Sequence, residues 1–232
     1  MSSLSLRYAY LHGFASSASS KKGVALKAWF SSVLNKDLLL PDLNIPSFQT
    51  LSVTKIVDTL EKTLVDSNCR WCLIGSSLGG LCATLLTQRQ KELIHSLILL
   101  CPALEAEKLW SLKLSETQLN EWKTSGVKNY FHYITQKEEP LHYEFYNNLK
   151  EQINYPLVNC PVTIIHGIDD DLVPIETSRH YVQLLKQQQN RNIKLIEVQD
   201  DHLLSKPDTT KIILKTVVKQ WFPSKMNNIE LL

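Results

Sequence analysis

Short apolar segments alternate with amphipathic helical segments along most of the 232-residue chain, and this alternation limits the fold more than any other feature. Strands that alternate with helices form a mainly parallel sheet covered by helices on both faces. The sequence predicts about six strands, at Leu6–Leu11, Leu38–Leu40, Trp71–Ile74, Ser96–Cys101, Val162–His166 and Ile193–Val198. It predicts helices over residues 20–35, 52–66, 77–90, 174–188 and 209–222.

Residues 105–155 interrupt this alternation with helical stretches and no obvious strand, and nine of the nineteen aromatic residues lie there. A surface insertion that buries its own aromatic side chains is one interpretation. We favour a small helical cap whose aromatic side chains line a pocket over the end of the sheet, because the segment follows a strand's C-terminal end. We therefore expect one domain over residues 1–223, with the cap insertion at 105–155, and a flexible tail at 224–232.

The composition excludes several classes of protein. A formal charge of +2, without basic clusters among aromatic residues, argues against a nucleic-acid partner. No apolar run reaches the roughly 18 residues of a membrane span, and the N-terminus lacks the pattern of a signal peptide. Five cysteines in apolar surroundings suggest free thiols in a reducing compartment, so we expect a cytoplasmic protein. Cys69 and Cys72 form a C-x-x-C pair, but on a predicted strand they face opposite sides, which argues against redox chemistry.

The segment Gly75-Ser76-Ser77-Leu78-Gly79 matches the pattern G-x-S-x-G in one register only, which selects Ser77 over Ser76 as a candidate nucleophile. This pattern requires a tight turn between a strand and a helix, and glycines without a Cβ tolerate its crowding. The predicted strand ends just before the pattern and the predicted helix opens near Ser77. This context favours a nucleophile over a serine in an ordinary turn.

A serine hydroxyl needs a base, and the base needs an orienting carboxylate. His202 follows the sixth predicted strand and the acidic run Asp169–Asp171 follows the fifth, so both reach the sheet edge where Ser77 lies. The other six histidines lack this order and place, and we expect His166 to shape the turn before the acidic run. Asp201 is too close to His202 in sequence to be preferred. The acid is therefore one of the three consecutive aspartates.

The tetrahedral intermediate of acyl transfer also needs two N–H donors for its oxyanion. The residue after the nucleophile supplies one donor, here the backbone N–H of Leu78. The loop Leu11-His12-Gly13-Phe14-Ala15 follows the first strand, and we assign the second donor to the backbone N–H of Phe14.

Four segments carry a resemblance to a known family: Tyr10–Ser17, Leu40–Leu43, Ile74–Gly80 and Pro140–Tyr143. Over nearly its whole length the chain resembles the α/β-hydrolase superfamily, and within it the YqiA/YcfP-like group of small esterases. The resemblance implies an α/β-hydrolase fold without an antiparallel N-terminal hairpin, and neither a metal nor an organic cofactor. It also implies an acid at the fifth position of H-G-x-x-D-x-x-V-P, which is Asp170 here.

We therefore predict a serine hydrolase that cleaves small acyl esters or thioesters through an acyl-enzyme on Ser77, with His202 as base and Asp170 as orienting acid. The expected partner is a small-molecule acyl substrate. A peptidase or a carbon–carbon bond hydrolase with the same triad is one alternative, since this triad serves several leaving groups. A non-catalytic protein that binds a ligand or partner is another, against which the complete triad argues. The acyl chain length and the oligomeric state are left open.

Overall fold

The computed structural model describes residues 5–190 and 192–226. Its main sheet has five parallel strands in the order β1-β2-β3-β6-β7. These strands are β1 (Leu6–Leu11), β2 (Arg70–Ser76), β3 (Ile94–Leu100), β6 (Val162–Gly167) and β7 (Ile193–Val198). A separate antiparallel pair contains β4 (Val127–His132) and β5 (Lys137–His142). The α-helices are α1 (Lys21–Trp29), α2 (Val53–Val65), α3 (Leu78–Arg89), α4 (Ala106–Lys113), α5 (Glu116–Ser125), α6 (Glu144–Lys150), α7 (Ile175–Gln187) and α8 (Pro207–Trp221).

Helices cover both faces of the main sheet, as the alternation predicts. Successive strand residues point to opposite faces, so Leu73 of β2 joins one hydrophobic core while Cys72 and Ile74 join the other. Apolar side chains of α2, α3 and α7 complete the first core, and those of α1 and α8 complete the second. The parallel sheet is therefore buried on both sides, which leaves its edges and strand ends to carry polar chemistry.

Helix α2 shows how the sequence produces these layers. The Ser52 side chain accepts a hydrogen bond from the Lys55 N–H and so caps the first turn. Its buried residues recur at helical spacing: Val53, Ile56, Val57, Leu60 and Leu64. This stripe packs into the first hydrophobic core, against α3 and α6, while the opposite face of the helix meets solvent.

The predicted strand at Leu38–Leu40 is wrong, and the main sheet has five strands rather than six. Leu39 forms only an isolated parallel bridge with Ala9, through hydrogen bonds to the backbone of Tyr8 and Tyr10, each 2.9 Å long. Pro41 follows and has no N–H to donate, so the ladder does not continue beyond Leu40. An apolar run that ends at a proline therefore gave a bridge instead of a strand.

The inserted segment between β3 and β6 is not purely helical, so the expectation of a cap without strands is also wrong. It contains α4, α5 and α6 together with the β4–β5 hairpin. Strand β5 begins Lys137-Glu138-Glu139-Pro140, a polar run with a proline that lacks the apolar pattern of a buried strand. The hairpin lies outside the main sheet and needs only one partly buried face.

Two of the contacts between the insertion and the rest of the molecule bear on the site. Trp122 and Phe145 belong to the same hydrophobic core as α2 and α3. The backbone N–H of Tyr133, just beyond β4, donates a 2.9 Å hydrogen bond to the carbonyl of Ala15 in the loop after β1. The hairpin is thus joined directly to the loop that carries Phe14.

Two further predictions concern the chain ends and membranes. Of the tail predicted at 224–232, residues 227–232 lie outside the described residues, and Pro223–Lys225 form one 3₁₀ turn. Among the residues that the structure describes, no helix has both the length and the apolar character needed to cross a bilayer.

Candidate active site

Ser77 lies at the sharp turn between β2 and α3, where the sequence pattern puts it. Its backbone has φ 52° and ψ −117°, a strained conformation for a residue with a side chain. Hydrogen bonds at both ends hold this conformation: the Ser77 N–H donates to Leu100, and the Ser77 carbonyl accepts from Ala103 and Gly80. The Ser77 side chain does not cap α3, so its hydroxyl is not used in starting the helix.

The glycines around Ser77 allow two backbones to approach each other closely. A Cβ on Gly75 would lie 2.6 Å from the Gly79 carbonyl oxygen, and a Cβ on Gly79 would overlap the carbonyl oxygens of Leu11 and His12. A Cβ on Gly13 would lie 3.3 Å from the Ser77 Cβ. The loop after β1 therefore lies directly against the turn that carries Ser77.

Asp170 and His202 meet at the ends of β6 and β7. Asp170 Oδ2 accepts a 2.7 Å hydrogen bond from His202 Nδ1. The two loops touch as well, since the Asp169 N–H donates to the Asp200 carbonyl and a Cβ on Gly167 would lie 2.5 Å from the Asp201 carbonyl oxygen. Of the three residues in the acidic run, Asp170 is therefore the one whose carboxylate contacts the predicted base, His202.

The Asp170 carboxylate is held by an unusual number of donors. Oδ1 accepts hydrogen bonds from the backbone N–H groups of Leu172 and Val173, at 2.9 and 2.7 Å. Oδ2 lies 2.7 Å from His202 Nδ1 and 3.2 Å from His166 Nε2. Burial alone would raise the pKa of Asp170, but the hydrogen bonds from His166 and His202 outweigh it and hold that pKa well below its ordinary value.

The low pKa of Asp170 predicts how the stability of the protein depends on pH. Because the folded-state pKa lies below the unfolded value of about 4, the ionised carboxylate stabilises the fold above that value, and this contribution is lost as the pH falls toward the folded pKa. Asp170→Asn should therefore cost about 2 kcal/mol of unfolding free energy at neutral pH, and the deficit should shrink in acid. Urea unfolding at several pH values measures this.

Asp169→Asn is the matched control, since Asp169 is exposed on the same turn. It should change the unfolding free energy little at any pH. A deficit of Asp170→Asn that stays constant between neutral and acidic pH would contradict the assignment of a stabilising, ionised Asp170.

The two backbone amides predicted to bind the oxyanion are available as hydrogen-bond donors. Within residues 5–190 and 192–226, neither the Phe14 N–H nor the Leu78 N–H donates to another protein group. Leu78 is the first residue of α3, where helix geometry leaves the N–H without an intrahelical acceptor. The two amides flank the contact between Gly13 and Ser77. They could therefore bind a negative oxygen next to the serine.

His12 fixes the shape of the loop that carries Phe14. Its Nε2 accepts a 2.8 Å hydrogen bond from the Leu43 N–H, so the proton must lie on Nδ1, which donates to the Gly13 carbonyl at 2.9 Å. Burial lowers the pKa of His12 and favours this neutral form. His12 therefore ties the loop that carries Phe14 to the segment around Leu43.

Aromatic side chains of the insertion surround Phe14. The Phe14 ring centroid lies 5.0 Å from that of Trp110, 5.5 Å from Tyr130 and 5.6 Å from Phe145. Phe48, from the loop before α2, adds a fourth ring at 5.4 Å. The aromatic residues of the insertion thus pack over the loop that carries one oxyanion donor, on the side where the cap is expected.

One predicted contact is not formed. In the part of the chain that the structure describes, the His202 ring forms a hydrogen bond with Asp170 and none with the Ser77 hydroxyl. Such bonds are often long in a free enzyme and tighten when substrate binds. Ser77 and His202 are brought to the same sheet edge, but the hydrogen bond between them is still a prediction.

Sequence reasoning missed part of the surroundings of Asp170. His166, which we expected to shape the turn, does donate from Nε2 to the Val173 carbonyl at 2.9 Å, and it also contacts Asp170. Its Nδ1 lies 2.7 Å from the hydroxyl of Ser178 in α7. No motif links Ser178 to His166, and only the packing of α7 on β6 joins them. Cys101 completes the group, with its Sγ within 4.8 Å of the nearest His166 and Asp170 donor atoms.

The cysteines and the possible metal ligands offer no second chemistry. All five cysteines are free, four buried and Cys160 half-buried. Burial raises the pKa of Cys72 to about 12, as expected for an unreactive thiol. Cys101, His166 and Asp170 are close enough together for a metal site, but both ring nitrogens of His166 already form hydrogen bonds. This donor set therefore does not fit a metal ion.

Comparison with solved structures defines the class of the fold. α/β-Hydrolase domain-containing protein 10 from mouse has a TM-score of 0.73 and 20% identity, over 91% of this chain and 88% of that one. Est1E from Butyrivibrio proteoclasticus with bound ferulic acid has a TM-score of 0.68 and 17% identity, over 93% and 90%. A monoacylglycerol lipase from Paleococcus ferrophilus has a TM-score of 0.64 and 15% identity, over 93% and 95%. The protein has the α/β-hydrolase fold, as predicted.

Sequence comparison identifies the family. A model of the family described as "Uncharacterised protein family (UPF0227)" matches residues 7–189, and the chain belongs to this family. A search of curated proteins gives no significant match. The matched residues include Ser77 and Asp170 and end before His202. The resemblance drawn from the motifs is confirmed at the level of the family.

Proposed function

We propose that the protein is a serine hydrolase that cleaves small acyl esters or thioesters. The observation that carries the proposal is the 2.7 Å hydrogen bond between Asp170 and His202 at the sheet edge where the strained Ser77 lies. This combination fits the geometry of an acid–base–nucleophile triad on an α/β-hydrolase scaffold. That the similar solved structures include esterases and a lipase adds support of a more general kind.

The proposed reaction follows from the roles of the three side chains. His202 takes the proton of the Ser77 hydroxyl as the oxygen attacks the acyl carbonyl, and Asp170 stabilises the imidazolium that forms. The Phe14 and Leu78 amides bind the oxyanion, each contributing about 3 kcal/mol to the transition state. His202 then gives its proton to the leaving group. Water, activated by the same imidazole, releases the acid from Ser77.

The aromatic packing supports a small acyl group. The rings of Trp110, Tyr130 and Phe145 lie against Phe14 beside the proposed oxyanion site, and we expect them to limit the length of the acyl chain. Short and medium acyl groups fit such surroundings better. We therefore propose a small acyl group and keep esters and thioesters as joint candidates.

Covalent labelling tests the proposal. A fluorophosphonate probe should react with the wild-type protein at one residue, since the oxygen of a serine activated by a base attacks the phosphorus of the probe and displaces its fluoride. Ser77→Ala should abolish labelling, and mass spectrometry of the labelled wild type should locate the adduct on Ser77. Ser76→Ala is the matched control and should still be labelled. An unlabelled wild type, or an adduct on Ser76, would overturn the proposal.

A further inference from the structure

A second buried histidine contacts the same carboxylate oxygen of Asp170 that binds His202. His166 Nε2 lies 3.2 Å from Asp170 Oδ2, and the side chains of both residues are completely buried. The triad as proposed uses one histidine, and it assigns no role to the second. His166 stands at the end of β6, four residues before Asp170, and is fixed from behind by Ser178, which is also completely buried.

The hydrogen-bond partners of His166 determine where its proton lies. Nε2 faces the Val173 carbonyl at 2.9 Å and the Asp170 carboxylate at 3.2 Å, and both groups can only accept, so Nε2 carries the proton. In the neutral ring Nδ1 is then an acceptor, and the Ser178 hydroxyl donates to it over 2.7 Å. A single tautomer therefore satisfies the ring, the hydroxyl and both oxygen acceptors.

This arrangement fixes the Asp170 carboxylate from both sides. The amides of Leu172 and Val173 hold Oδ1, and the Val173 carbonyl is itself held by His166. The same imidazole N–H reaches Oδ2. The ring thus fixes the turn that carries Asp170 and the oxygen that His202 uses, while Ser178 anchors the ring to α7.

We infer that His166 and Ser178 are positioning residues for the hydrolytic reaction, which hold the Asp170 carboxylate in the orientation that binds His202. This inference rests on the proposed function. The other titratable groups facing His166 are Cys101, at the end of β3, and Glu197, its neighbour in β7, which Arg179 binds through two hydrogen bonds of 2.8 and 2.7 Å.

A positioning role has a consequence that a purely structural role does not. The imidazoles of His166 and His202 both donate to Asp170 Oδ2. Without the His166 N–H, His202 would be the only imidazole donor, and the Asp170 carboxylate would become more basic. A more basic carboxylate stabilises the imidazolium, and the acid limb of the rate profile should then move to higher pH. The looser carboxylate should also lower kcat more than it changes KM.

The test measures the rate of fluorophosphonate labelling and of aryl-ester hydrolysis between about pH 5 and pH 9. His166→Leu should lower both rates about 10- to 100-fold and move the acid limb upward by about half a unit or more. His166→Gln can place a donor near the Nε2 position and should recover most of the loss. Ser178→Ala should give a smaller loss, about 3- to 10-fold.

Thr87→Ala is the control, because it removes a buried hydroxyl whose hydrogen bond lies within α3. It should leave both rates unchanged.

The outcomes separate this inference from the proposed function. An unlabelled wild type would overturn the proposed function, and the inference with it. A labelled wild type whose His166 and Ser178 variants lose thermal stability but keep the wild-type rates and pH profile would overturn the positioning role alone. If His166→Leu does not fold, Ser178→Ala decides, together with the NMR signal of the His202 Nδ1 proton. That signal should shift in Ser178→Ala, and an unchanged signal with unchanged rates would count against the inference.

Discussion

Replacing Ser77 or His202 by alanine is expected to lower kcat/KM for a short-chain aryl ester by about 10⁶-fold, and Asp170→Asn by about 10⁴-fold. In the proposed mechanism the nucleophile and its base act as one unit, so the double variant Ser77→Ala/His202→Ala should lose no more activity than either single variant. In the proposed mechanism Asp170 orients the imidazole without taking part in bond formation, so its loss would leave a weaker base in place. The measurement is steady-state hydrolysis across aryl esters and acyl thioesters of graded chain length.

Two conservative variants control for general damage. Ser76→Ala changes the other serine of the motif, and His180→Ala removes an exposed histidine of α7 that contacts only the ring of Tyr155 among aromatic groups. Both should keep activity within a few-fold of wild type. Equal losses in these variants, or losses that multiply in the double variant, would contradict a cooperating triad. Fastest turnover on long-chain esters would contradict the small acyl site.

Gly79→Ala is expected to produce the largest loss of stability from a single methyl group, about 3 kcal/mol. The added Cβ would overlap the carbonyl oxygens of Leu11 and His12, which are main-chain atoms and cannot rotate away. Either α3 or the end of β1 must therefore move. Because the displaced atoms lead directly into the loop of Phe14, kcat/KM should fall as well. Urea unfolding gives the free energy, and ester hydrolysis gives the rate.

Gly126→Ala provides the comparison for this substitution. Gly126 has φ +74°, and a Cβ added there would meet no atom within 4 Å, so alanine should cost only about 1 kcal/mol of backbone strain. Activity should be unaffected. A loss of stability in Gly79→Ala no greater than in Gly126→Ala would show that the close approach to Leu11 is relieved without cost.

The sequence predicts those parts of the site that depend on local patterns at strand ends. G-x-S-x-G predicts a tight turn, and the acidic run Asp169–Asp171 and His202 each follow an apolar strand, so chain order was sufficient to bring them to one edge. The choice of Asp170 within the run came from the resemblance to the family. The same logic fails where a contact depends on tertiary packing. Ser178 lies on α7 with no sequence signal toward His166, because the two meet only when the helix packs on β6.

The two errors in the fold have a common physical origin. Leu38–Leu40 is apolar because it packs in the core, yet Pro41 prevents a ladder of hydrogen bonds. Strand β5 forms a ladder although residues such as Glu138 and Pro140 are not strand formers. Burial and hydrogen-bond pairing are separate properties of a segment, and hydrophobic periodicity reports only the first. Pairing is decided by the partner strand, which local sequence does not specify.

The hydrogen bond from the Tyr133 amide to the Ala15 carbonyl has a consequence for the engineering of this family. A graft of the insertion from a relative is one way to try to change which substrate is accepted. Here its hairpin is attached one residue beyond Phe14, whose ring packs among the aromatic side chains of the same insertion. We therefore expect a grafted insertion also to move the Phe14 amide, the proposed oxyanion donor. A graft that changes substrate selectivity should then change the rate of hydrolysis as well, unless it includes the loop after β1.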